Sequence, residues 1–423
     1  IMAYLRETVD EYHIDEHIRF QHLVRSAEWS SESATWTVTA EEADTGAEVR
    51  LTCGYLFMCS GYYSYKGGYL PDFEGYDDFE GQIVHPQEWP DDLDYVDKEV
   101  VVIGSGATAV TLVPAMADDT AHITMLQRSP TYMVSRPDHD VIANNLRKVL
   151  PDTAAYEATR WKNSTLQQFM YGQTRKHPGK VRQKLLDGVR DQLPAGYDVD
   201  THFTPTYNPW DQRLCLVPNG DMFAAISAGT ASVVTDTIDR FDETGILLDS
   251  GRHLDADIIV TATGLQLVTL GEVDFTVDGD PVDFSQTFTY KGMCYSDVPN
   301  LASSFGYINA SWTLRADLTC QYVCRLLNHM TETRTQICTP RLRSEDRDMP
   351  MRPWVEDFSS GYFQRMLPVM PKQGDREPWL NNQDYKKDKK ALRKDPVNDG
   401  VMRFTRVEAQ EPTGFRSAVA GGA

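Results

Sequence analysis

Apolar and polar residues alternate along three short segments near the start of the chain. The segments are 18–24, 35–39 and 47–52, and Asp44-Thr45-Gly46 is a turn sequence between the last two. Alternation with a period of two sets one face of a strand against a core, so the pattern predicts an antiparallel meander. Mixed three- and four-residue apolar spacing within 1–19 predicts the end of a helix, and 56–61 reads as a buried strand that ends in Gly61.

A continuous apolar run at 99–103 predicts a different kind of strand, one buried in a parallel sheet. The turn Gly104-x-Gly106-x-x-Ala109 follows at once and leads into a helix predicted over 107–117. Gly104 permits the sharp turn, Gly106 lets the backbone approach a pyrophosphate, and small Ala109 lets the helix pack on the strand. A helix N-terminus also favours phosphate. These features predict a dinucleotide site formed by Gly104, Ser105, Gly106, Ala107, Thr108, Ala109 and Val110. A glycine turn without a ligand is the alternative.

The end of the next predicted strand, 122–126, indicates which nucleotide would bind. An NAD site places a carboxylate near this point to accept from the ribose 2′-hydroxyl, whereas this chain has Gln127 and Arg128. A guanidinium group suits a 2′-phosphate. We therefore predict NADPH rather than NADH, with Gln127 and Arg128 among the contacts. The alternative is that Arg128 is an ordinary surface cation.

Long polar helices replace the strand pattern between 140 and 205, for example at 156–171. Strands resume at 231–235, a hairpin is predicted around Glu243-Thr244-Gly245, and the strand 257–264 closes the unit at Gly264. A final helix is predicted over 314–330 from apolar residues spaced four apart. Strands that alternate with helices predict an α/β protein with a helical insertion in its dinucleotide domain.

Composition narrows the classes of partner. The 423 residues include 62 acidic and 41 basic ones, for a net charge of −21, so the molecule as a whole repels nucleic acid and anionic membranes. The seven cysteines lack zinc-site or disulfide-framework spacing and no Cys-x-x-Cys is present. This predicts reduced thiols in a cytoplasmic protein and disfavours a flavin disulfide reductase. No apolar run is long enough to predict a transmembrane segment.

One basic cluster departs from the acidic balance. It runs through Lys386-Lys387-Asp388-Lys389-Lys390 and continues with Arg393 and Lys394. Such runs are typical of solvated helix faces, which is the interpretation we favour. Peripheral association with an anionic membrane is the alternative. The sequence leaves a homo-oligomer open.

Twelve residues shortly before the strand at 99–103 fit the pattern F-x-G-x-x-x-H-x-x-x-W-P at each fixed position. The fixed residues are Phe79, Gly81, His85, Trp89 and Pro90. The segment resembles the fingerprint of type I Baeyer–Villiger monooxygenases, in which it is a hinge between an FAD domain and an NADPH domain. The resemblance implies that His85 and Trp89 control geometry without touching substrate. The alternative is a linker in which Gly81 makes a turn and the aromatic residues only pack.

The resemblance implies a two-dinucleotide-domain flavoprotein that uses FAD, NADPH and dioxygen. Residues 1–90 would hold the remainder of the FAD domain and the hinge, 91–264 the NADPH Rossmann domain with its insertion near 140–205, and 265–423 the C-terminal part of the FAD domain and the tail. Reduced flavin would capture dioxygen as a C4a-peroxide. One oxygen atom would then enter a ketone, giving an ester or lactone, or pass to a sulfide or thioamide sulfur.

The same resemblance assigns roles to single residues. Arg213 matches the family's active-site arginine, and its permanent charge would stabilise a buried peroxide anion. A plain salt-bridge role for Arg213 is the alternative. Val24 would border the FAD adenine, and Gly264 would lie at the crossing back to the FAD domain.

A first dinucleotide motif, which would bind FAD, has no counterpart before residue 104. The FAD domain is therefore predicted to be incomplete, as in an N-terminally truncated fragment. Two other functions stay open. One is an N- or S-hydroxylating flavin-containing monooxygenase, whose related fingerprint usually lacks the Trp-Pro ending. The other is an inactive protein that binds only NADP(H).

Overall fold

The computed structural model describes residues 2–356 and 358–407. Its longest helices lie in the predicted insertion and in the C-terminal third. The helices are α1 (Met2–Glu11), α2 (Ala107–Met116), α3 (Val141–Val149), α4 (Asp152–Lys176), α5 (Pro178–Arg190), α6 (Val199–Phe203), α7 (Asp221–Ala228), α8 (Trp312–Thr333), α9 (Gly361–Gln364) and α10 (Tyr385–Arg393).

The strands are mostly short and belong to several sheets. Up to the end of the dinucleotide unit they are β1 (His22–Ser30), β2 (Thr35–Glu42), β3 (Glu48–Cys53), β4 (Leu56–Met58), β5 (Gln82–Val84), β6 (Glu99–Ile103), β7 (His122–Gln127), β8 (Met133–Arg136), β9 (Cys215–Pro218), β10 (Ala231–Thr235), β11 (Ile238–Asp242), β12 (Gly245–Leu248), β13 (His253–Asp255) and β14 (Ile258–Thr261). After it come β15 (Asp274–Val277), β16 (Asp280–Pro281), β17 (Thr289–Tyr290), β18 (Cys294–Tyr295), β19 (Leu301–Ser303), β20 (Ile337–Pro340), β21 (Arg352–Pro353), β22 (Lys372–Gln373) and β23 (Met402–Thr405).

The predicted parallel sheet is present, with strand order β10-β7-β6-β14-β5. Each neighbouring pair in it is parallel. β6 and β10 have the predicted bounds, and β6 is buried from Val100 to Ile103 because helices and a hairpin sheet cover both of its faces. One edge strand, β5, comes from the fingerprint segment. This strand lies before residue 90, the predicted boundary of the NADPH domain.

The meander is present, but its first strand was wrongly placed. β1 begins at His22, and residues 18–21 are not a strand because Gln21 has a φ of 59°, which breaks the extended chain. β1 then continues to Ser30, with Ala27 and Trp29 buried on one face, beyond the predicted end at residue 24. A further strand, β15, extends the meander sheet. It comes from far along the chain and pairs in parallel with β1.

A two-stranded parallel sheet lies between the meander and the C-terminal helices. β4 pairs with β19, Leu56 opposite Leu301 and Met58 opposite Ser303. The strand predicted over 56–61 ends at Met58 and is only partly buried. Both strands point their carboxyl ends the same way, and such an edge is where ligands bind in α/β sheets.

The helical insertion leaves the dinucleotide domain after β8 and returns at β9, two strands that pair in parallel. It contains α3, α4, α5 and α6. α4 is nine residues longer than the predicted 156–171, since polar side chains at both ends continue the helix without an apolar signal. Arg213 lies at the return point, two residues before β9.

Candidate active site

The glycine turn after β6 has the geometry of a pyrophosphate site. Gly104 has a φ of 136°, and a β-carbon there would lie 2.3 Å from the carbonyl oxygen of Ala262. Gly106 differs, since its φ is −78° and a β-carbon would meet nothing within 4 Å. The fold thus needs glycine at 104 but not at 106, where the free space fits a bound phosphate. The residues fit NADP(H) at this position.

The start of α2 is open to solvent on the side that a nucleotide would approach. Gly106, Ala107 and Thr108 are exposed, whereas Ala109 and Val110 are buried and pack on the sheet. The Ser105 hydroxyl donates to the Ser129 carbonyl at 3.1 Å, which ties the turn to the end of β7. The side chain of Val110 belongs to the core, so only its backbone N–H, bonded to the Gly106 carbonyl, is part of the turn.

Arg128 and Gln127 have opposite surroundings. Arg128 is exposed beside the turn and forms no hydrogen bond or ion pair within 2–356 and 358–407. Gln127 is buried, and its amide donates to the His202 carbonyl at 2.7 Å and the Thr235 hydroxyl at 2.8 Å. Arg128 is therefore free to meet a ligand, while the side chain of Gln127 braces the interior.

We expect Arg128→Ala to weaken NADPH binding roughly 10- to 100-fold and to leave NADH binding unchanged, since one charge-assisted bond to phosphate contributes about 1.5–3 kcal/mol. Fluorescence titration with each nucleotide measures this. Arg50→Ala, at another exposed arginine, is the control. An equal loss of affinity for NADPH and NADH would mean that Arg128 does not contact the 2′-phosphate.

Two segments that are remote in the sequence, 62–69 and 263–268, meet beside the fingerprint residues. We call these segments the crossings. One crossing, 62–69, is hydrogen-bonded to the other, 263–268, with the Tyr69 N–H donating to the Gly264 carbonyl at 2.9 Å. His85 Nε2 lies 3.2 Å from the same Gly264 oxygen, and Nδ1 accepts from the Gln87 N–H. The His85 ring lies against Gly68, where a β-carbon would be 1.8 Å from the ring. His85 therefore joins both crossings at one point.

The remaining fingerprint residues fix this segment to the dinucleotide domain. The Phe79 ring is buried with β6 and Phe241, and Gly81 packs directly against that ring. Trp89 packs on the opposite core of the same domain, and Pro90 follows it partly buried. The fingerprint segment is thus anchored to the sheet at Phe79 and Gly81, and its His85 lies between the crossings.

We expect Gly68→Ala to lower turnover by roughly 100-fold with little change in NADPH affinity, because the His85 ring would have to move by more than about 1 Å. Steady-state kinetics and nucleotide titration separate the two effects. Gly54→Ala, where a β-carbon meets nothing within 4 Å, is the matched control. Unchanged turnover in Gly68→Ala would show that the position of His85 does not control the reaction.

A cleft opens at the carboxyl ends of β4 and β19. It encloses about 30 Å³ and opens to solvent between the segments Ser60–Tyr62 and Ser303–Phe305. Gly61 has a φ of 73° and leaves open space in front of its α-carbon. The Thr269 hydroxyl lines the cleft and is buried without a hydrogen-bond partner among the described residues. An unsatisfied hydroxyl at the carboxyl ends of two parallel strands is a hydrogen-bonding group left for a ligand at this edge.

Arg213 lies between this cleft and the glycine turn. Its positive charge acts on the hydroxyls of Tyr362 and of Tyr62, and Tyr62 lines the cleft. Two residues later, the Cys215 thiol donates to the Ser105 carbonyl at 3.8 Å. Burial raises the pKa of Cys215 to about 12, which keeps the thiol protonated as a donor. Arg213 is thus connected to both candidate cofactor positions.

The loop that carries Arg213 is anchored from three directions at Asp211. Arg175 from α4 forms an ion pair with its carboxylate at 2.8 Å. The Asn208 N–H donates to the same carboxylate, and the Ser359 N–H donates to the Asp211 carbonyl at 2.8 Å. The insertion and the C-terminal segment therefore both position Arg213.

An aromatic wall beside Arg213 was not predicted from the sequence. The Tyr62 ring stacks on Trp312 at 4.6 Å between ring centroids, and its hydroxyl lies 2.6 Å from that of Tyr63. Burial, followed by the neighbouring Tyr63, raises the pKa of Tyr62 well above its usual range, so the phenol stays protonated. These residues come from distant segments and share no spacing.

Val24, predicted to border the FAD adenine, is half-buried beside a bulge in the meander sheet.

The parallel sheet, its glycine turn and the strand-end cleft define an α/β fold of the two-dinucleotide-domain class. A steroid monooxygenase structure with NADP bound matches 96% of this chain and 84% of its own, with a TM-score of 0.72 at 20% identity. A cyclohexanone monooxygenase from Rhodococcus with NADP⁺ bound matches 82% of this chain with a TM-score of 0.63 at 19% identity. The predicted fold class is confirmed.

Sequence comparison then gives the family. The flavin-binding monooxygenase-like family model matches residues 1–196. The FAD-containing monooxygenase EthA of Mycobacterium tuberculosis is 53% identical over 407 residues, 96% of this chain and 82% of that protein. The probable FAD-binding monooxygenase AlmA of Acinetobacter baylyi is 47% identical over 405 residues, 96% of this chain and 80% of that protein.

The chain belongs to this family of FAD-containing flavin monooxygenases. The predicted resemblance, the enzyme class and the cofactor pair FAD and NADPH are confirmed at the level of the family. The two alternatives, a hydroxylating flavin monooxygenase and a non-catalytic NADP(H)-binding protein, are not favoured by these relatives.

A metal centre and a membrane-spanning helix are both absent from the described ranges. No group of three or more His, Cys, Asp or Glu side chains there is arranged to hold a metal ion. No helix within 2–356 and 358–407 is both long and apolar enough to cross a membrane.

Proposed function

We propose that the chain oxygenates ketones, and sulfur compounds such as sulfides and thioamides, in the cleft between β4, β19 and Arg213. The observation that carries the proposal is the position of Arg213, whose charge acts on Tyr62 in the cleft and whose loop is joined to the glycine turn through Cys215. A ketone would give an ester or lactone and a sulfide would give a sulfoxide.

The residues at the turn would hold NADPH. Gly104 and Gly106 would receive the pyrophosphate at the N-terminus of α2, and Arg128 would meet the 2′-phosphate. The residues along the cleft, including Gly61, Tyr62 and Thr269, would hold the ring end of FAD. When bound, the flavin supplies the redox chemistry, because it accepts hydride from NADPH and activates dioxygen.

Arg213 would stabilise negative charge that develops on oxygen during the transfer. A guanidinium group keeps its charge at any working pH, and a charge fixed in position acts most strongly where water is scarce. The wall of Tyr62, Trp312 and Phe305 excludes water on one side of the cleft. Tyr62, which stays protonated, can donate a hydrogen bond to a substrate oxygen. The crossings joined by His85 would set the distance between the two cofactors.

The test is product analysis with the purified chain, added FAD, NADPH and air, using 2-octanone and phenyl methyl sulfide. Ester or sulfoxide formed in step with NADPH consumption is expected. NADPH consumption with neither product, at saturating FAD, would contradict the proposal. Flavin fluorescence in the same sample shows how much FAD is bound, which separates failed chemistry from failed cofactor binding.

A further inference from the structure

Positive charge is concentrated in two segments of this acidic protein. Residues 141–190, the helices α3 to α5 of the insertion, contain ten Lys or Arg and three Asp or Glu, a net charge of +7. Residues 385–394, which include α10, contain six Lys or Arg and one Asp, a net charge of +5. The rest of the chain has a net charge of −33. Such segregation indicates a surface that meets an anionic partner.

The two basic segments meet along one groove. α4 and α10 line it together with α8, and it encloses about 460 Å³. Arg160 and Arg393 form ion pairs with Asp317 at 2.7 and 3.4 Å at its base. Lys386 and Lys389 are exposed at its rim and form no ion pair among the described residues. We call the surface of 141–190 and 385–394 the basic face.

The Nε atom of Arg393 provides a second sign of a missing partner. This atom is buried and has no hydrogen-bond acceptor among the described residues. A buried guanidinium N–H without an acceptor is unfavourable, and the rest of this partly exposed guanidinium lines the groove. The groove therefore fits a phosphate or similar oxyanion.

The basic face also exposes large apolar side chains. The insertion contains nine of the 25 large apolar residues that are exposed in the described ranges, among them Trp161 at 69% and Phe169 at 62%. On α3, Val141, Ile142 and Val149 share one exposed side of the helix, and Ala143 packs on the other. A nucleic acid or an acidic protein surface would leave these aliphatic groups unused. Lipid headgroups above acyl chains match both features.

We propose that the basic face docks on the surface of an anionic lipid bilayer. Trp161 and the apolar side of α3 enter the headgroup region, and a lipid phosphate occupies the groove beside Lys386, Lys389 and Arg393. Docking of this kind combines buried apolar area with attraction between lysines and anionic lipid. An apolar ketone or sulfide, which partitions into a bilayer, would then be close to the enzyme. The docking itself does not depend on the oxygenation chemistry.

Vesicle co-sedimentation of the full chain, without NADPH or substrate, tests the proposal. Vesicles of phosphatidylcholine with 30% phosphatidylglycerol should retain the protein, and pure phosphatidylcholine should retain far less. Lys386→Glu with Lys389→Glu should weaken binding by about 30-fold or more, since each basic residue contributes about 1 kcal/mol at such a surface. Arg25→Glu with Arg50→Glu, an equal charge change on the meander, should leave binding unchanged.

A second pair of variants separates insertion into lipid from charge attraction alone. Val149, 76% exposed on α3, and Val96, 55% exposed elsewhere, are matched positions. Val149→Glu should reduce vesicle binding at least about 10-fold more than Val96→Glu. Three results would overturn the proposal. They are equal binding to neutral and anionic vesicles, equal loss of vesicle binding in the basic-face variants and their controls, and loss of binding when free phosphate is added at constant ionic strength. Self-association that the lysine variants abolish, measured by light scattering without vesicles, would also overturn it, because a second copy would then occupy this face.

Discussion

Arg213→Ala should lower the rate of product formation by roughly 100- to 1,000-fold, while NADPH consumption continues with release of hydrogen peroxide. Removing one preorganised group from a developing oxyanion raises the barrier by about 3–4 kcal/mol. Nucleotide binding should change little, because the link from Arg213 to the turn is indirect and runs through Cys215. The measurements are ester formation by gas chromatography, NADPH absorbance and peroxide in the same reaction.

Two further variants make this result specific. Arg213→Lys keeps a charge but loses the planar guanidinium with its fixed donors, so we expect an intermediate loss. Arg50→Ala removes an exposed arginine from the meander and should match the parent protein. If Arg213→Ala retained coupled product formation, Arg213 would be a structural residue and its proposed role would be wrong.

Gly104→Ala and Gly106→Ala should fail in different ways although they are two residues apart. A side chain at 104 would adopt an unfavourable φ and overlap the Ala262 carbonyl, so we expect a loss of about 2–5 kcal/mol in the free energy of unfolding. At 106 the backbone is extended and the space is open, so stability should stay the same or rise by about 0.5 kcal/mol. NADPH affinity in Gly106→Ala should nevertheless fall roughly 30-fold.

Chemical denaturation followed by circular dichroism gives the unfolding free energies, and fluorescence titration gives the NADPH affinities. Gly54→Ala has neither a clash nor a ligand nearby and controls for the general effect of replacing glycine. Normal NADPH affinity in a stable Gly106→Ala protein would show that no pyrophosphate lies against this turn.

The dinucleotide domain could be predicted from sequence because its signals are local. β6 and β10 have the predicted bounds, and the glycine turn lies between β6 and α2 as expected. A buried parallel strand is apolar throughout, and a turn of this kind admits few residue types. The strand of this domain that the sequence did not predict is β5, because three residues are too few to show a periodic pattern of apolar residues.

The candidate active site was predictable only in part. Arg213 was identified through the family resemblance, since a single arginine carries no pattern. Its neighbours Tyr62, Trp312 and Tyr362 come together from three remote segments, and their packing depends on tertiary contacts that spacing does not encode. The strand at 18–24 was misplaced for a related reason, because a positive φ at Gln21 leaves no mark in the alternation.

The most direct test of the account is the fate of labelled dioxygen. The purified chain with FAD and NADPH, supplied with 2-octanone under ¹⁸O₂, should yield hexyl acetate that contains one ¹⁸O atom in the ester linkage, and Arg213→Ala should yield almost none. Unlabelled ester, or NADPH consumption that gives only hydrogen peroxide with FAD bound, would contradict the proposal that this cleft transfers oxygen to a ketone.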